Sequence, residues 1–314
     1  MKYSGIGGQA VMEGVMMRNK DHYAVAVRKP DGDIEVKEEE FKSISEKCAF
    51  FRLPFVRGIF SFIDSLRLGM STLTYSASFF EEEDEKKKKR SSEEKKKADA
   101  AFNFFTILFS FIIAIAIFMV GPFYLSQYLQ KFIASETLII FLEGVIRLLI
   151  FVIYVMLISL MKDIKRVYMY HGAEHKCINC IEHGLPLTVE NVKNSSKEHK
   201  RCGTSFMLIV MCISILVLMF VRFDSRWLRL LARLVLIPVI AGISYEILRL
   251  AGTKDNWFMN IISKPGMWLQ GLTTKEPDES MIEVGIASVE AVFDWKKYLE
   301  ENFGVSENES QTNS

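Results

Sequence analysis

The stretch Tyr170-His-Gly-Ala-Glu-His-Lys176 carries two histidines four residues apart with a glutamate between them. On a helix His171 and His175 stand on one face one turn apart, where two imidazoles can hold one metal ion. His-x-x-Glu-His is the inverted form of the zinc-protease motif, in which the glutamate draws a proton from a metal-activated water. The pattern therefore points to hydrolysis with Glu174 as general base. The same spacing also occurs on solvated helices that bind nothing.

The residues that follow enrich the region. Cys177, Cys180, Glu182, His183, Glu190, His199 and Cys202 put four of the chain's five histidines and three of its five cysteines between 171 and 202. Cys177-x-x-Cys180 with His199-x-x-Cys202 would suit a closed structural zinc site. Alternatively, His171 and His175 with one ligand from His199, Cys202 or Glu246 would make an open site that keeps a position for chemistry. The open site is preferred, because 177/180 is a zinc-ribbon fragment without its second Cys-x-x-Cys. The bland reading is reduced cysteines and surface histidines near a membrane. A helix that presents both histidines does not guarantee Glu174 the right angle, so Glu190 is a second candidate base. Arg18 or Arg201 could stabilise developing negative charge.

The elements that must position these groups belong to a membrane protein. Of 314 residues 50% are hydrophobic and mean hydropathy is positive, at +0.17, high for a soluble globule. Four apolar runs are long enough to cross a bilayer: 102–123, 137–161, 205–221 and 230–251. The connection 124–136 holds one lysine, whereas 162–201 holds eight lysines and arginines, which places both termini and the central segment in the cytoplasm. Arg222, Arg226, Arg229 and Arg233 crowd the connection this assigns to the outside and argue against it. Glu143 and Arg147, one turn apart, are expected to pair. A net charge of +1 gives no overall field for nucleic acid. An odd cysteine count, and no secretory signal in the first 20 residues, point to reduced thiols facing a cytosol.

Outside the spans, Gly5 to Arg18 is glycine-rich, with Gln9, Glu13 and Arg18 either pointing into a site or satisfying one another in a turn-rich terminus. Tyr23–Val27 and Ile34–Val36 around Pro30-Asp31-Gly32 predict a β-hairpin. Residues 53–77 predict a helix in the membrane interface or beside the spans, with Arg57, Ser61, Asp64, Arg67 and Ser71 as a polar stripe. Pro265-Gly266 predicts a break, and Ile282, Ile286, Val289 and Phe293 predict a short amphipathic helix that covers the site or docks on the hairpin.

Gly7-Gly-Gln-Ala-Val-Met-Glu-Gly-Val-Met-Met-Arg18, His171-Gly-Ala-Glu-His-Lys176, Leu187-Thr-Val-Glu-Asn-Val192, Arg201-Cys-Gly-Thr-Ser-Phe206 and Pro265-Gly-Met-Trp-Leu-Gln-Gly-Leu-Thr-Thr-Lys-Glu-Pro277 resemble the bacterial YqhQ-like family. That family is a domain of unknown function labelled a predicted metal-dependent membrane enzyme, so the resemblance implies metal and membrane but no substrate.

The expectation is a mainly α, polytopic membrane helix bundle of about four transmembrane helices with a small α/β cytosolic element. Its parts are an N-terminal segment (1–80), a charged linker (81–101), two spans (102–161), a His/Cys/Glu loop (162–204), two more spans (205–251), a C-terminal segment (252–303) and a disordered tail (304–314). The expected activity is metal-dependent hydrolysis near the cytoplasmic leaflet of the cell membrane. The metal would be a divalent ion, zinc before manganese or iron. The substrate is unassigned, lipid or otherwise membrane-associated in one reading. A non-enzymatic scaffold with a structural metal is the first alternative. A transporter component, suggested by Glu143, Arg147, Arg233 and Glu246, is the second, and it would need a homo-oligomer to build a pathway.

Overall fold

The computed structural model describes residues 2–46, 48–80, 93–221, 223, 225–253 and 257–304. The chain forms two compact units: Met1–Phe79 with Leu157–Ile209 and Ala241–Ser314, and Phe80–Met156 with Val210–Ile240. Of the expected linker, 81–92 lies outside the described residues and 93–101 is already helix. The tail beyond Gly304 also lies outside them.

The first unit begins with an antiparallel meander of four strands in sequence order, β1 (Gly7–Val11), β2 (Gly14–Asn19), β3 (His22–Arg28) and β4 (Ile34–Glu40). The hairpin expected at 23–36 is β3 and β4. The glycine-rich start is a second hairpin, β1 and β2, which the glycines concealed by masking the two-residue alternation. Register puts Gln9, Met16, Val25 and Lys37 in one cross-strand row and Ala10, Val15, Ala26 and Val36 in the next. Successive rows face opposite ways. The first row faces helix α1 (Val56–Ala77), where Gln9 Nε2 donates to Thr72 Oγ1 at 2.9 Å. The other face packs on α5 (Lys162–Glu182) and α10 (Glu279–Glu290), so both faces of the sheet are covered. Val15, Ala26, Ile178, Ile181, Met281 and Ile282 form that core. Burying a side chain of this size contributes about 1.5–3 kcal/mol.

The expected "loop" at 162–204 is mostly helix. α5 ends where Gly184 takes φ +83° and Leu185 N–H bonds back to the Cys180 carbonyl, a glycine stop that any side chain would strain. A short helix, α6 (Val189–Asn194), follows, capped by Thr188. Pro265-Gly266 does not break the chain but sits inside α9 (Trp257–Thr273). Gly266 is needed there for close approach, since a Cβ would stand 2.6 Å from Ser205 Oγ. The amphipathic helix expected around Ile282–Phe293 is α10, docked on the sheet and α5; α11 (Trp295–Phe303) closes the described chain.

The second unit is built from apolar helices: α2 (Glu93–Ile115), which runs through one π-helical turn into α3 (Gly121–Leu129), and α4 (Glu136–Ile158), with most of α7 (Gly203–Phe220) and half of α8 (Arg226–Thr253). Among the described residues four helical segments are long and apolar enough to cross a membrane: Phe105–Leu129, Glu136–Ile158, Gly203–Phe220 and Trp227–Ala251. Only 6–33% of their most apolar windows is buried by protein, which leaves their side chains to an apolar solvent. Glu143 pairs with Arg147 as expected, at 3.0 Å, and also takes Arg233 at 2.7 Å and the Ser126 hydroxyl at 3.1 Å. Glu143 thereby offsets one of the two arginine charges at membrane depth.

Candidate metal centre

α5 presents His171 and His175 on the face turned from the α10 core, ring centroids 4.4 Å apart. Each ring is oriented by a backbone carbonyl. His171 Nδ1 donates to the Thr273 carbonyl at 2.9 Å, and His175 Nδ1 donates to the Lys197 carbonyl at 2.7 Å. A carbonyl can only accept, so each Nδ1 carries a proton and each Nε2 is the ring nitrogen left to face Cys202. Cys202 completes the group, its Sγ 3.2 Å from His171 Nε2, and the three donor atoms lie within 4.8 Å of one another.

The segment that delivers Cys202 is held from two sides. Asn179 on α5 donates to the Ser196 and Glu198 carbonyls, and Lys176 to those of Lys193 and Ser195. On α9, Gln270 accepts from the His199 N–H at 2.9 Å and donates to the His199 carbonyl at 2.7 Å and to Ser205 Oγ at 2.8 Å. Cys202 then stands at the start of α7, where the Thr204 N–H points at Sγ from 3.4 Å. A helix start and two imidazoles favour a thiolate.

The electrostatics agree. Burial alone would push the Cys202 thiol up, but His171 and His175 hold it well below its ordinary value. Burial alone would lower His171, yet the Cys202 sulfur and then Glu174 raise it to about 9. Two Nε2 atoms and a thiolate thus lie within 4.8 Å of one another, a donor set of the N/S type that suits a tetrahedral ion. The carbonyl anchors on both Nδ1 atoms are the outer contacts that metal-bound histidines make.

Glu174 is buried beside this group, accepting from the Gly8 N–H at 3.1 Å with Oε1 while Oε2 lies 3.9 Å from His171 Nε2. Burial pushes its carboxyl up; the two histidines and the Gly8 amide pull it back without cancelling that rise. Gly8 is the close approach that makes the amide contact, since a Cβ there would stand 2.3 Å from the Met16 carbonyl. All four groups open on a cavity of ≈ 700 Å³ walled by β1, β2, α1, α5 and the start of α7.

The other expected residues divide. Arg18 and Arg201 line the cavity. His199 is 5.7 Å from the His175 ring but turns its Nε2 to Glu182 at 3.5 Å. It is not in the donor group. Glu246 does not join the donor group: it is paired with Arg57 on α1 and accepts from the Phe55 N–H. Glu190 is exposed in the first turn of α6 and does not line the cavity, so it is not placed as a base. The Cys177/Cys180 zinc reading fails as well. Cys177 is buried against Gly285 and Cys180 donates towards the Leu185 and Pro186 carbonyls, and burial pushes both thiols up. Sequence reasoning missed Thr273, Lys197, Asn179 and Gln270. The first two act through backbone carbonyls, which carry no side-chain signal.

Glu182 was noted in the cluster without a role. It is fully buried and accepts from Arg201, His199 and the Ser4 amide and hydroxyl. Burial opposes its ionisation, but the His199 hydrogen bond and the Arg201 charge outweigh that and hold it down at about 2. The lowered pKa stabilises the fold fully above the ordinary carboxylate value and is lost as pH falls through about 2. Glu182→Gln should therefore cost about 3 kcal/mol at neutral pH, leaving Arg201 uncompensated. The gap in thermal midpoint between wild type and variant should narrow as pH falls from about 4.5 towards 2. A gap independent of pH would refute the assignment.

Two comparisons with known proteins bear on identity. The family described as "Protein of unknown function (DUF1385)" matches residues 53–295. The "Uncharacterized protein YqhQ" of Bacillus subtilis (strain 168) is 36% identical over 306 residues, covering 96% of each chain. No solved structure matches. From these matches the chain belongs to the DUF1385 family, to which its resemblance to YqhQ had pointed.

Proposed function

We propose that this protein is a membrane-embedded, metal-dependent hydrolase whose ion, Zn²⁺ by donor type, is held by His171 Nε2, His175 Nε2 and Cys202 Sγ. The observation that carries this reading is the pair of carbonyl anchors that turn both Nε2 atoms towards one thiolate. When bound, the ion supplies Lewis acidity to a water or a substrate oxygen on the cavity side. Glu174 accepts the proton, its second oxygen fixed by Gly8. Arg201 lines the cavity and its Nη1 is buried without a hydrogen-bond partner, so this residue is the donor offered to developing negative charge. The helices cross the membrane more than once, with both termini in the cytoplasm. The arginine crowding that opposed this orientation is reduced, because Arg229 pairs with Glu136 and Arg233 with Glu143.

X-ray absorption at the zinc edge of loaded protein should give two nitrogens at about 2.0–2.1 Å, one sulfur at about 2.3 Å and one light atom. A second sulfur would close the sphere and make the protein a scaffold with a structural metal. Binding should also release a proton. With His171 raised to about 9, the metal-free centre is protonated at pH 7, so the ion must displace it. Calorimetry in buffers of different ionisation enthalpy should report about one proton per ion at pH 7, and affinity should fall about tenfold per pH unit below 9. Metal binding without proton release would contradict the protonated state of His171 in the metal-free centre.

A second reading rests on the 3.2 Å contact between Cys202 and His171, which also describes an imidazolium–thiolate pair and a nucleophilic cysteine. It predicts protein active without metal and inactivated by alkylation of Cys202.

A further inference from the structure

Helix α1 is built inside out. Its buried face is Gly58, Asp64, Leu68, Thr72 and Ser76, of which only Leu68 is a large apolar side chain. Those polar groups are spent on the rest of the first unit: Asp64 accepts from Ser43 and the Ile44 N–H, Thr72 from Gln9, and Ser76 from the Met12 N–H. The apolar residues Ile63, Leu66, Met70 and Leu73, at intervals of three, four and three, are 42–54% exposed instead. In water such a stripe would be turned inward, because each of these side chains gains about 1.5–3 kcal/mol on burial.

The start of α1 is set against an apolar helix. A Cβ on Gly58 would stand 2.7 Å from Tyr245 Cβ and 3.1 Å from Gly242 Cα, and one on Gly242 would stand 2.5 Å from the Phe55 carbonyl. Gly242 and Tyr245 lie inside Trp227–Ala251, a segment long and apolar enough to cross the membrane. α1 therefore starts in backbone contact with a spanning helix. Beside its apolar stripe, Arg67, Ser71 and Thr74 form an exposed polar edge, the profile of a helix lying flat at the headgroup boundary.

The same helix is a wall of the cavity at the metal centre. Ser61, Phe62, Ser65 and Leu68 line it from α1, and Phe206, Met207, Tyr245 and Leu248 continue the lining from the ends of two spanning helices. Arg18 and Lys20 line it too and have no carboxylate within ion-pairing distance among the described residues. Among the described residues Glu174 is the only acid in the lining. We propose that α1 lies in the membrane plane with Ile63, Leu66, Met70 and Leu73 among the acyl chains, and that the cavity opens to the leaflet and takes an anionic membrane amphiphile. The identity of this amphiphile as a hydrolase substrate rests on the function proposed above; its binding does not.

Two measurements in proteoliposomes test this. The photo-crosslinker p-benzoylphenylalanine at Leu66 or Met70 should yield phospholipid adducts, and the same residue at Glu283, exposed on α10, should not. Equal yields at all three positions would overturn the placement of α1. A phosphatidylglycerol carrying a diazirine near the headgroup should label cavity residues such as Phe206 or Tyr245. Unlabelled phosphatidylglycerol should compete with it, and neutral diacylglycerol should not. Filling the cavity with Ser65→Trp, or independently with Ser61→Trp, should cut labelling at least fivefold with metal content unchanged. Labelling confined to the outer surface, or equal competition by diacylglycerol, would overturn the substrate class. Cavity labelling in protein that binds no metal would keep the lipid site and remove the hydrolase.

Discussion

Detergent-purified protein carrying His171→Ala, His175→Ala or Cys202→Ser is expected to hold less than about a tenth of the metal of the wild type, which should hold one equivalent per chain. Structural zinc sites with four ligands bind with roughly 10–16 kcal/mol, so one ligand is worth about 3–4 kcal/mol, or 10²–10³-fold in affinity. The effect should be equal at the three positions, because their donor atoms lie within 4.8 Å of one another and no fourth protein donor joins that group among the described residues. Glu174→Gln is the informative contrast. Its carboxylate stands outside the donor group, so the variant should keep its metal while any hydrolytic turnover falls by about 10²–10⁴. Gln270→Ala should sit between these limits. It loosens the segment that carries Cys202 without touching a donor atom, and such outer contacts are worth about 10–100-fold. Metal retained in all three donor variants would show that the ion, if any, binds elsewhere. Metal lost in Glu174→Gln as well would make the glutamate a fourth ligand and the centre closed.

That graded pattern follows from features of different visibility. The two histidines were legible from spacing, because a helix repeats every 3.6 residues and the motif fixes both ring positions at once. Four apolar runs were legible from length, because hydrocarbon thickness sets about 20 residues per crossing. Which side chain joins the two histidines was not legible. Cys202, His199 and Glu246 were all candidates on residue type, and what separates them is pairing elsewhere: His199 is taken by Glu182 and Glu246 by Arg57. Those competitors are 17 and 189 residues away in the chain. The glycine-rich hairpin β1–β2 was hidden for a related reason. Gly7, Gly8 and Gly14 remove the side chains whose alternation would announce strands, and Gly8 is retained for a contact with Glu174 that is 166 residues distant. Pro265 misled for the opposite reason. A local rule that proline ends helices yields when the helix is packed on both sides of the residue, as Gly266 against Ser205 and Gln270 against His199 require.

Gly172→Ala should be the most damaging small substitution in the first unit, although alanine is the better helix former by about 1 kcal/mol. Gly172 lies between His171 and Ala173 in the middle of α5, where the extended segment after α9 crosses directly over the helix. A Cβ there would stand 2.1 Å from the Lys275 carbonyl and 3.3 Å from Pro277 Cδ. The atom it strikes is backbone and cannot rotate away, and the segment is pinned to the same turn by the Lys275 N–H bond to the Tyr168 carbonyl at 2.9 Å. Relief requires the segment to lift, which withdraws the Thr273 carbonyl from His171 Nδ1 two residues earlier. Stability should fall by about 3 kcal/mol, at the upper end for overpacking, and metal affinity by about 10–100-fold through the lost anchor. Gly271→Ala provides the control: it sits in α9 with nothing within 4 Å of the added Cβ, so helix propensity alone acts and stability should be unchanged or rise by up to about 1 kcal/mol. Thermal unfolding in detergent, with and without zinc, reads both. If Gly172→Ala unfolds at the wild-type temperature with unaltered zinc affinity, the segment 273–277 does not rest on α5 and cannot be what orients His171.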